Sequence, residues 1–257
     1  MKFYESGPAD GRTILLLPGN FMTHRQFENI IPLLAEEYRV VAVDFDGYDE
    51  TGETTYTTAQ DQAQKLADYI REQLGGAVDL VYAESLGSCP AAFLTRHHDI
   101  RLGGVILSGV QYLHWGVLDP IIVAVSSRLT HGVMRRFVRQ GSLKLPAFLV
   151  RSLGRDGESM NALVKQLCRN ASLETTRATF VTGTEFYPRH VQRWAPDAGV
   201  HIALWYGGKE KNMAKAENEL RRAFPGLTVR IFQNMGHGEN VEHPELVVRE
   251  LKAFMGW

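Results

Sequence analysis

The chain has 257 residues, of which 44% are hydrophobic and 22% are charged, and its formal net charge at pH 7 is −1. This length and composition are typical of one folded domain, with or without an insertion, and exclude the disordered and fibrous classes. A charge so close to zero is not that of a nucleic-acid-binding domain, so no nucleic-acid partner is predicted.

The cysteine content, the first residues and the longest apolar run together predict where in the cell the protein is located. Cys89 and Cys168 are too few for a disulfide framework, and no Cys/His cluster suggests a metal site, so both are predicted to be buried thiols. The opening residues, MKFYESGPADGR, lack the apolar core of a secretory signal. The longest apolar run, near residues 120–125, is far shorter than the ~20 residues of a membrane span. We therefore expect a cytoplasmic protein without a membrane span.

The first part of the chain alternates short apolar runs with helical patterns. Strands are predicted over residues 12–17 (RTILLL), 39–45 (RVVAVDF), 78–83 (VDLVYA) and 102–107. Helices are predicted over residues 24–38, 58–74 and 86–97. Continuous apolar strands that alternate with helices predict a mostly parallel, doubly wound sheet with helices on both faces, in the α/β class.

This alternation stops after residue 109 and resumes near residue 194. The later strands are predicted over residues 201–206 and 228–232, and the later helices over residues 212–224 and 244–255. Insertions at the carboxyl ends of parallel strands lie over the ligand crevice. We therefore predict a core of residues 1–109 and 194–257, with residues 110–193 as a mainly helical cap, inserted after the strand that follows the helix over residues 86–97.

A serine lies where the predicted third strand meets the next helix. Ser85 occupies the centre of AESLG, a variant of the G-x-S-x-G pattern. A sharp strand-to-helix turn presents a nucleophile with its oxygen accessible, and small residues at positions 83 and 87 let the strand and helix pass closely. The helix N-terminus favours the negative charge that forms in the reaction. The alternative is that Ser85 only caps the helix.

A serine hydroxyl needs a base, and His237 is the best-placed candidate among the nine histidines. It follows the last predicted strand in the glycine-flanked loop MGHGE. Glu210, in YGGKE after the preceding strand, is placed to orient the imidazole and to stabilise its charged form. Asp119 is the reserve candidate for this acid. A solvated loop histidine and a surface glutamate remain the alternatives.

The turn after the first predicted strand, LPGNF, is a candidate oxyanion hole. Gly19 allows close backbone approach, and the N–H groups of Asn20 and Leu86 would supply two donors to a tetrahedral oxyanion. An ordinary Pro-Gly turn at the end of a strand is the alternative.

Nucleophile, acid and base occur in the order Ser85, Glu210, His237, each after a predicted strand. In these features the chain resembles the α/β-hydrolase superfamily over nearly its whole length. LLLPGN is similar to the family's strand–HG-x segment, with Pro18 where histidine is common. VDFDGY is similar to its D-x-x-G-x-G loop with an altered ending, AESLG to its nucleophile elbow, and YGGKE and GHGE to its acid and histidine segments.

The resemblance implies the α/β-hydrolase fold, a catalytic triad of Ser85, His237 and Glu210, and an oxyanion hole that includes the Asn20 N–H. It also places a cap at the inserted segment. A serine at the elbow argues against the dehalogenase and epoxide-hydrolase branches, which need a carboxylate nucleophile. Before residue 12 there is room for at most one strand, so the sheet is expected to be reduced at that edge.

The predicted activity is hydrolysis of a small-molecule carboxylic ester or thioester through an acyl-enzyme, without a cofactor or metal. Amide or carbon–carbon cleavage, a lyase that uses Ser85 and His237, and a ligand-binding protein without turnover remain open, as does the oligomeric state. The predicted cap carries apolar side chains that suit either an acyl pocket or plain packing: Leu113, Trp115, Val117, Leu118, Ile121, Ile122, Val123, Met134 and Phe137. Its basic side chains suit either an anionic substrate or a solvated face: Arg128, Arg135, Arg136, Arg139, Lys144, Arg151 and Arg155.

Overall fold

The computed structural model describes residues 1–49, 51–140 and 168–256, with the backbone alone for residues 137–140. Three basic residues of the predicted cap, Lys144, Arg151 and Arg155, lie outside the described residues. The side chains of Phe137 and Arg139 are also outside them.

A seven-stranded sheet lies at the centre of the described chain. The strands are β1 (Lys2–Ser6), β2 (Thr13–Leu17), β3 (Arg39–Asp44), β4 (Ala77–Val78), β5 (Leu80–Glu84), β6 (Arg101–Leu102), β7 (Val105–Ser108), β8 (Ile202–Gly207) and β9 (Thr228–Phe232). The main sheet has the order β1-β3-β2-β5-β7-β8-β9, and β4 pairs with β6 separately. β1 is antiparallel to β3 at one edge, and the other pairs of the main sheet are parallel.

The central strands are buried on both faces because helices cover the sheet from both sides. Every residue of β2, β5 and β7 is buried. The helices are α1 (Ile31–Leu34), α2 (Ala59–Gln73), α3 (Ser88–Leu94), α4 (Asp119–Gln140), α5 (Leu173–Glu185), α6 (Met213–Ala223) and α7 (Pro244–Phe254). Side chains of α1 and α7 pack in one core cluster, whereas those of α2, α3 and α6 pack in the other. This arrangement confirms the predicted doubly wound α/β class.

The helix predicted over residues 24–38 is wrong as a continuous element. The structure has a 3-10 turn at His24–Phe27 and then only the short helix α1. Pro32 explains the interruption, because it lacks an N–H and its ring would clash with the carbonyl of residue 28 in a continuous helix. Pro32 instead occupies the first turn of α1, where the missing donor is tolerated.

The helix predicted from residue 86 begins later than expected. A 3-10 turn covers Ser85–Gly87, and the α-helix follows from Ser88. The other strands and helices of the predicted core lie within a few residues of their predicted positions. The one strand for which there was room before residue 12 is present as β1.

The described residues between β7 and β8 form helices and helical turns that irregular segments join. α4 and α5 pack against each other. Ser172 caps α5 by accepting a hydrogen bond from the Thr175 N–H at 3.0 Å, and a π-helical turn follows at Phe186–His190. The Tyr56 N–H donates to Thr175 Oγ1 at 3.3 Å, which joins α5 to the loop after β3. The boundaries of a cap over residues 110–193 stay a prediction.

One helical stretch of the described residues, Gly116–Arg136, is long and apolar enough to cross a membrane, judged by length and composition only. Large apolar side chains are exposed along and just before it: Trp115, Val117, Leu118, Ile121, Val125 and Leu129. The expectation of no membrane span rested on the longest uninterrupted apolar run. This helix meets the composition test although polar residues interrupt its apolar ones.

Both cysteines are buried and free of disulfides, as predicted. Cys89 lies on α3, and burial raises the pKa of its thiol. Cys168 lies against the loop after β2, where its N–H donates to the Phe21 carbonyl at 2.6 Å. Both side chains therefore behave as small core residues.

Candidate active site

Ser85 lies in the turn between β5 and α3, where the backbone leaves the sheet. Its φ of 49° lies in the left-handed region, which residues other than glycine rarely occupy. Ser85 is partly exposed, whereas its neighbours Glu84 and Leu86 are buried. The turn therefore presents one hydroxyl from an otherwise buried segment, and the surrounding core maintains its strained backbone.

Two glycines allow the nucleophile turn and the loop after β2 to lie in contact. A Cβ at Gly87 would lie 2.7 Å from the carbonyl oxygens of Leu17 and Pro18. A Cβ at Gly19 would lie 3.3 Å from the Cβ of Ser85. At position 83, by contrast, the fully buried Ala83 fits. The strict requirement for glycine is therefore at position 87.

The structure brings Ser85, His237 and Glu210 together in one hydrogen-bonded chain. His237 Nε2 lies 2.9 Å from Ser85 Oγ, and His237 Nδ1 lies 2.8 Å from Glu210 Oε2. The Glu210 side chain is 1% exposed and that of His237 is 15% exposed. An ionised carboxylate only accepts hydrogen bonds, so we assign the proton to Nδ1. That assignment leaves Nε2 free to accept from the Ser85 hydroxyl.

Glu210 uses both of its carboxylate oxygens. Besides Oε2 at His237, Oε1 accepts the Gly207 N–H at 2.7 Å, which ties the side chain to the end of β8. The reserve acid, Asp119, lies elsewhere. Its carboxylate contacts His114 Nδ1 at 2.5 Å and accepts the Trp115 N–H at 2.7 Å at the start of α4. Among the two acids considered from the sequence, Glu210 is therefore the one that contacts His237.

The histidine loop lies directly against the end of β8. A Cβ at Gly207 would lie 2.4 Å from the Met235 carbonyl oxygen and 2.5 Å from that of Gly236. The Lys209 N–H donates to the same Met235 carbonyl at 2.9 Å. A hydrogen bond within the loop also stabilises it, since the Gly236 N–H donates to Glu239 Oε2 at 2.6 Å. These contacts set His237 next to the acid that follows β8.

The loop that carries Asn20 is held by two buried side chains. Gly19 N–H donates to Gln26 Oε1 at 2.7 Å, and the Tyr48 hydroxyl donates to Asn20 Oδ1 at 2.6 Å. Tyr48 is fully buried, and burial raises the pKa of its hydroxyl. Phe21 adopts a φ of 65°, a second strained residue next to the serine turn. The role of the Asn20 and Leu86 N–H groups stays a prediction.

Several side chains near the site escaped the sequence analysis. Glu84 is a fully buried carboxyl immediately before Ser85, and burial raises its pKa to about 7. Gln111 Nε2 lies 3.5 Å from His237 Nδ1, and Gln26 and Tyr48 hold the Asn20 loop. An acidic residue at the end of an apolar strand was a visible signal for Glu84. Gln111 and Tyr48 join separate loops in space, Gln26 holds its own loop, and nothing in the local sequence marks these three.

The arrangement can supply a base-activated hydroxyl next to a helix N-terminus, with a buried carboxylate behind the base. Across residues 1–49, 51–140 and 168–256, no three or more His, Cys, Asp or Glu side chains are grouped so as to hold a metal ion.

A family model described as the alpha/beta hydrolase fold matches residues 12–244. The chain belongs to the alpha/beta hydrolase family. This hydrolase is 25% identical to the 2-hydroxy-6-oxo-6-(2'-aminophenyl)hexa-2,4-dienoic acid hydrolase of Metapseudomonas resinovorans, over 99% of this chain and 87% of that protein. The family resemblance in the sequence is thereby confirmed.

Solved structures agree with the fold of this hydrolase. An alpha/beta hydrolase family protein from Desulfitobacterium hafniense superposes with a TM-score of 0.83 at 19% identity, covering 99% of this chain and 100% of that one. An esterase from Exiguobacterium antarcticum superposes with a TM-score of 0.75 at 17% identity, covering 99% and 96%. At these identities the likeness shows the fold alone.

Proposed function

We propose that the protein is a serine hydrolase that cleaves a carboxylic ester or thioester of a small molecule through an acyl-enzyme. The observation that carries the proposal is the hydrogen-bonded chain from Ser85 Oγ to His237 Nε2 at 2.9 Å and from His237 Nδ1 to Glu210 Oε2 at 2.8 Å. A hydroxyl, a base and an orienting acid in this order form the geometry of an activated serine.

In the first half-reaction, Ser85 Oγ attacks the carbonyl carbon of the substrate while His237 Nε2 takes the hydroxyl proton. Glu210 stabilises the resulting imidazolium through Nδ1–H. The N–H groups of Asn20 and Leu86 bind the negative oxygen of the tetrahedral intermediate. The intermediate then collapses, His237 protonates the departing oxygen or sulfur, and the acyl group stays on Ser85.

In the second half-reaction, water attacks the acyl-serine while His237 takes a proton from it. The second tetrahedral intermediate breaks its bond to Ser85 Oγ, which recovers its proton from His237, and a carboxylic acid leaves. All these steps use water and the five residues already named.

Two further predictions belong to the same proposal. We place residues 110–193, predicted from the sequence to be mainly helical, as a cap over the site, which the contact between Thr175 and the Tyr56 N–H supports for the later part of that segment. The cytoplasmic location stays a prediction from the sequence.

Labelling with a fluorophosphonate probe tests for an activated serine. We expect one adduct, on Ser85, located by peptide mass spectrometry, and no adduct in Ser85→Ala. Ser88 is the internal control, because its buried hydroxyl donates to the carbonyls of Ala83 and Ser108 at 3.0 and 3.2 Å and should not react. Folded protein that carries no adduct on Ser85 would refute the proposal, and labelling would justify a panel of esters and thioesters.

Carbon–carbon hydrolysis is the second candidate function, because a relative that matches 99% of this chain is named for an oxo-dienoic acid and not for an ester. The same serine and histidine would then cleave a bond next to a ketone. Two assays distinguish carbon–carbon hydrolysis from ester hydrolysis. One follows the loss of absorbance of that conjugated acid, and the other follows the release of p-nitrophenol from nitrophenyl esters. Turnover of the acid alone would replace the first proposal. Turnover of neither, with Ser85 still labelled, would favour a lyase or ligand binding.

A further inference from the structure

Glu84 is a buried carboxyl group that the proposed mechanism does not use. It is the last residue of β5, directly before Ser85, and it is 1% exposed. Its Oε2 accepts a hydrogen bond from the Tyr82 hydroxyl at 3.0 Å. The Ser108 side chain is close enough to the carboxyl to favour its ionised form, but no hydrogen bond to Oε1 is found within the part of the chain that is described. A buried acceptor without a donor is costly, so its retention at this position calls for a physical reason.

The unpartnered oxygen faces His237 across Gly109, which follows β7. A Cβ built at Gly109 would lie 3.1 Å from Glu84 Oε1, 2.9 Å from His237 Cε1 and 3.1 Å from His237 Nδ1. Because residue 109 is a glycine, with a φ of 64°, it places no side chain of its own between the carboxyl and the ring. Cε1 lies between the two ring nitrogens, so a charge beside it acts on the imidazolium without displacing Ser85 or Glu210 from those nitrogens.

We propose that Glu84 is a positioning residue that acts through His237, as a second carboxyl group that stabilises the imidazolium formed during the reaction. The inference rests on the proposed function, since it assigns His237 the role of base. Two carboxyl groups then act on one histidine: Glu210 through a hydrogen bond at Nδ1, and Glu84 through its charge on the side of the ring that faces Gly109.

The groups around Glu84 fit this role. Burial is the largest influence and raises its pKa to about 7, while the charge of His237 and the hydroxyls of Ser108 and Tyr82 favour the ionised carboxylate and Glu210 opposes it. Asn240 Nδ2 donates to the Tyr82 hydroxyl at 2.8 Å, so the hydrogen of that hydroxyl is available to Glu84. The carboxyl therefore changes charge near neutrality and is coupled to the charge of His237.

The coupling is measured on the ring itself. In protein labelled with carbon-13 at histidine Cε1, the His237 resonance is assigned by its loss in His237→Asn and is then followed against pH. In wild type, the titration of Glu84 should add a second inflection to the His237 curve. We expect Glu84→Gln to move the His237 titration to lower pH by about one pH unit and to remove that second inflection. The same titration curve in wild type and in folded Glu84→Gln would overturn the proposal.

Kinetics supply a readout that a structural role would not move. On an ester that the wild type hydrolyses, we expect Glu84→Gln to lower kcat about tenfold, to leave KM near its wild-type value, and to shift the acid limb of the pH profile to lower pH. Glu84→Asp, which keeps the charge, should recover part of kcat. A lower Tm with an unmoved pH profile would make Glu84 purely structural and would contradict the proposal.

Tyr82→Phe is a second variant in case Glu84→Gln does not fold. It keeps the carboxyl and removes a donor that favours its ionised form, so the His237 titration should again move to lower pH, and an unmoved curve would overturn the proposal. The titration of the His237 resonance is measured without substrate, so it does not depend on catalytic activity. A protein in which Glu84 and His237 are coupled but Ser85 is never labelled would therefore retain the coupling and lose only the proposed function.

Discussion

At the scale of single residues, the site depends on what the oxygens of each carboxylate contact. Glu210 places one oxygen on His237 Nδ1 and the other on the Gly207 N–H, and its side chain is 1% exposed. A carboxylate held in this way has little freedom to rotate, and it accepts from Nδ1 in one tautomer of the imidazole. The site therefore depends on the charge of Glu210 as well as on its shape.

We expect Glu210→Gln to lower kcat roughly 10³- to 10⁴-fold while KM changes little, because the amide removes the charge that stabilises the imidazolium and no longer selects the tautomer. Steady-state kinetics on a nitrophenyl ester measure this effect. Glu245→Gln, at an exposed glutamate in the first turn of α7, is the matched control and should stay close to wild type. A loss of less than tenfold in Glu210→Gln would show that another group orients His237.

At the scale of elements, the site forms where the ends of parallel strands meet loops that approach unusually closely. Ser85 follows β5 directly, and Glu210 lies in the loop after β8. The end of β8 touches the loop after β9, which contains His237. Glycines stand at the closest approaches: Gly87 beneath the loop after β2, and Gly207 beneath the histidine loop. The distance between the acid and the base is therefore set by backbone contacts as well as by the side chains.

Gly207→Ala tests that contact. The new methyl group would meet two backbone carbonyls at 2.4 and 2.5 Å, so the histidine loop must move away from β8. We expect a loss of about 1–3 kcal/mol in the free energy of unfolding, together with a fall in kcat, measured by urea denaturation and ester hydrolysis. Gly226→Ala is the control, because its Cβ would meet nothing within 4 Å. Equal stability and activity in both variants would contradict this account.

At the scale of the whole molecule, a buried carboxyl links stability to pH. Burial raises the pKa of Glu84 to about 7 in the folded protein, against 4.5 for an ordinary glutamate. Where the folded-state pKa is the higher one, the contribution to stability is fully present below pH 4.5 and is lost as pH rises through 7. The native core is therefore expected to tolerate neutral Glu84 better than ionised Glu84.

Chemical denaturation of wild type and Glu84→Gln between pH 4.5 and 8.5 measures this linkage. We expect the free energy of unfolding of Glu84→Gln, taken relative to wild type at the same pH, to rise across this range by up to about 3 kcal/mol. Comparison of the two proteins at each pH cancels the titration of their shared groups other than His237, whose titration is coupled to Glu84. A difference that does not vary with pH would mean that Glu84 titrates alike in the folded and unfolded chains.

The sequence by itself determined the alternation of buried strands and helices, and with it the α/β class and the order of the candidate site residues. It could do so because apolar periodicity records which faces each element buries, and a parallel sheet brings the carboxyl ends of its strands to one edge. It also marked Ser85, Glu210 and His237, because each lies in the turn or loop after a strand that ends at that edge. The same apolar pattern runs through residues 24–38, but Pro32 prevents one continuous helix there.

Only the tertiary structure decided which side chains touch one another. Tyr48 and Gln111 are brought to the site by contacts between loops far apart in the chain, and nothing in their local sequence records those contacts. Gln26 lies close in the chain to Gly19, but the folded turn alone directs its side chain to the Gly19 N–H. Glu84 was visible as a charged residue in an apolar strand, but its orphaned oxygen and its approach to His237 across Gly109 exist only in three dimensions. Hydrogen-bond partners depend on distances of a few tenths of an ångström, which packing sets and periodicity does not encode.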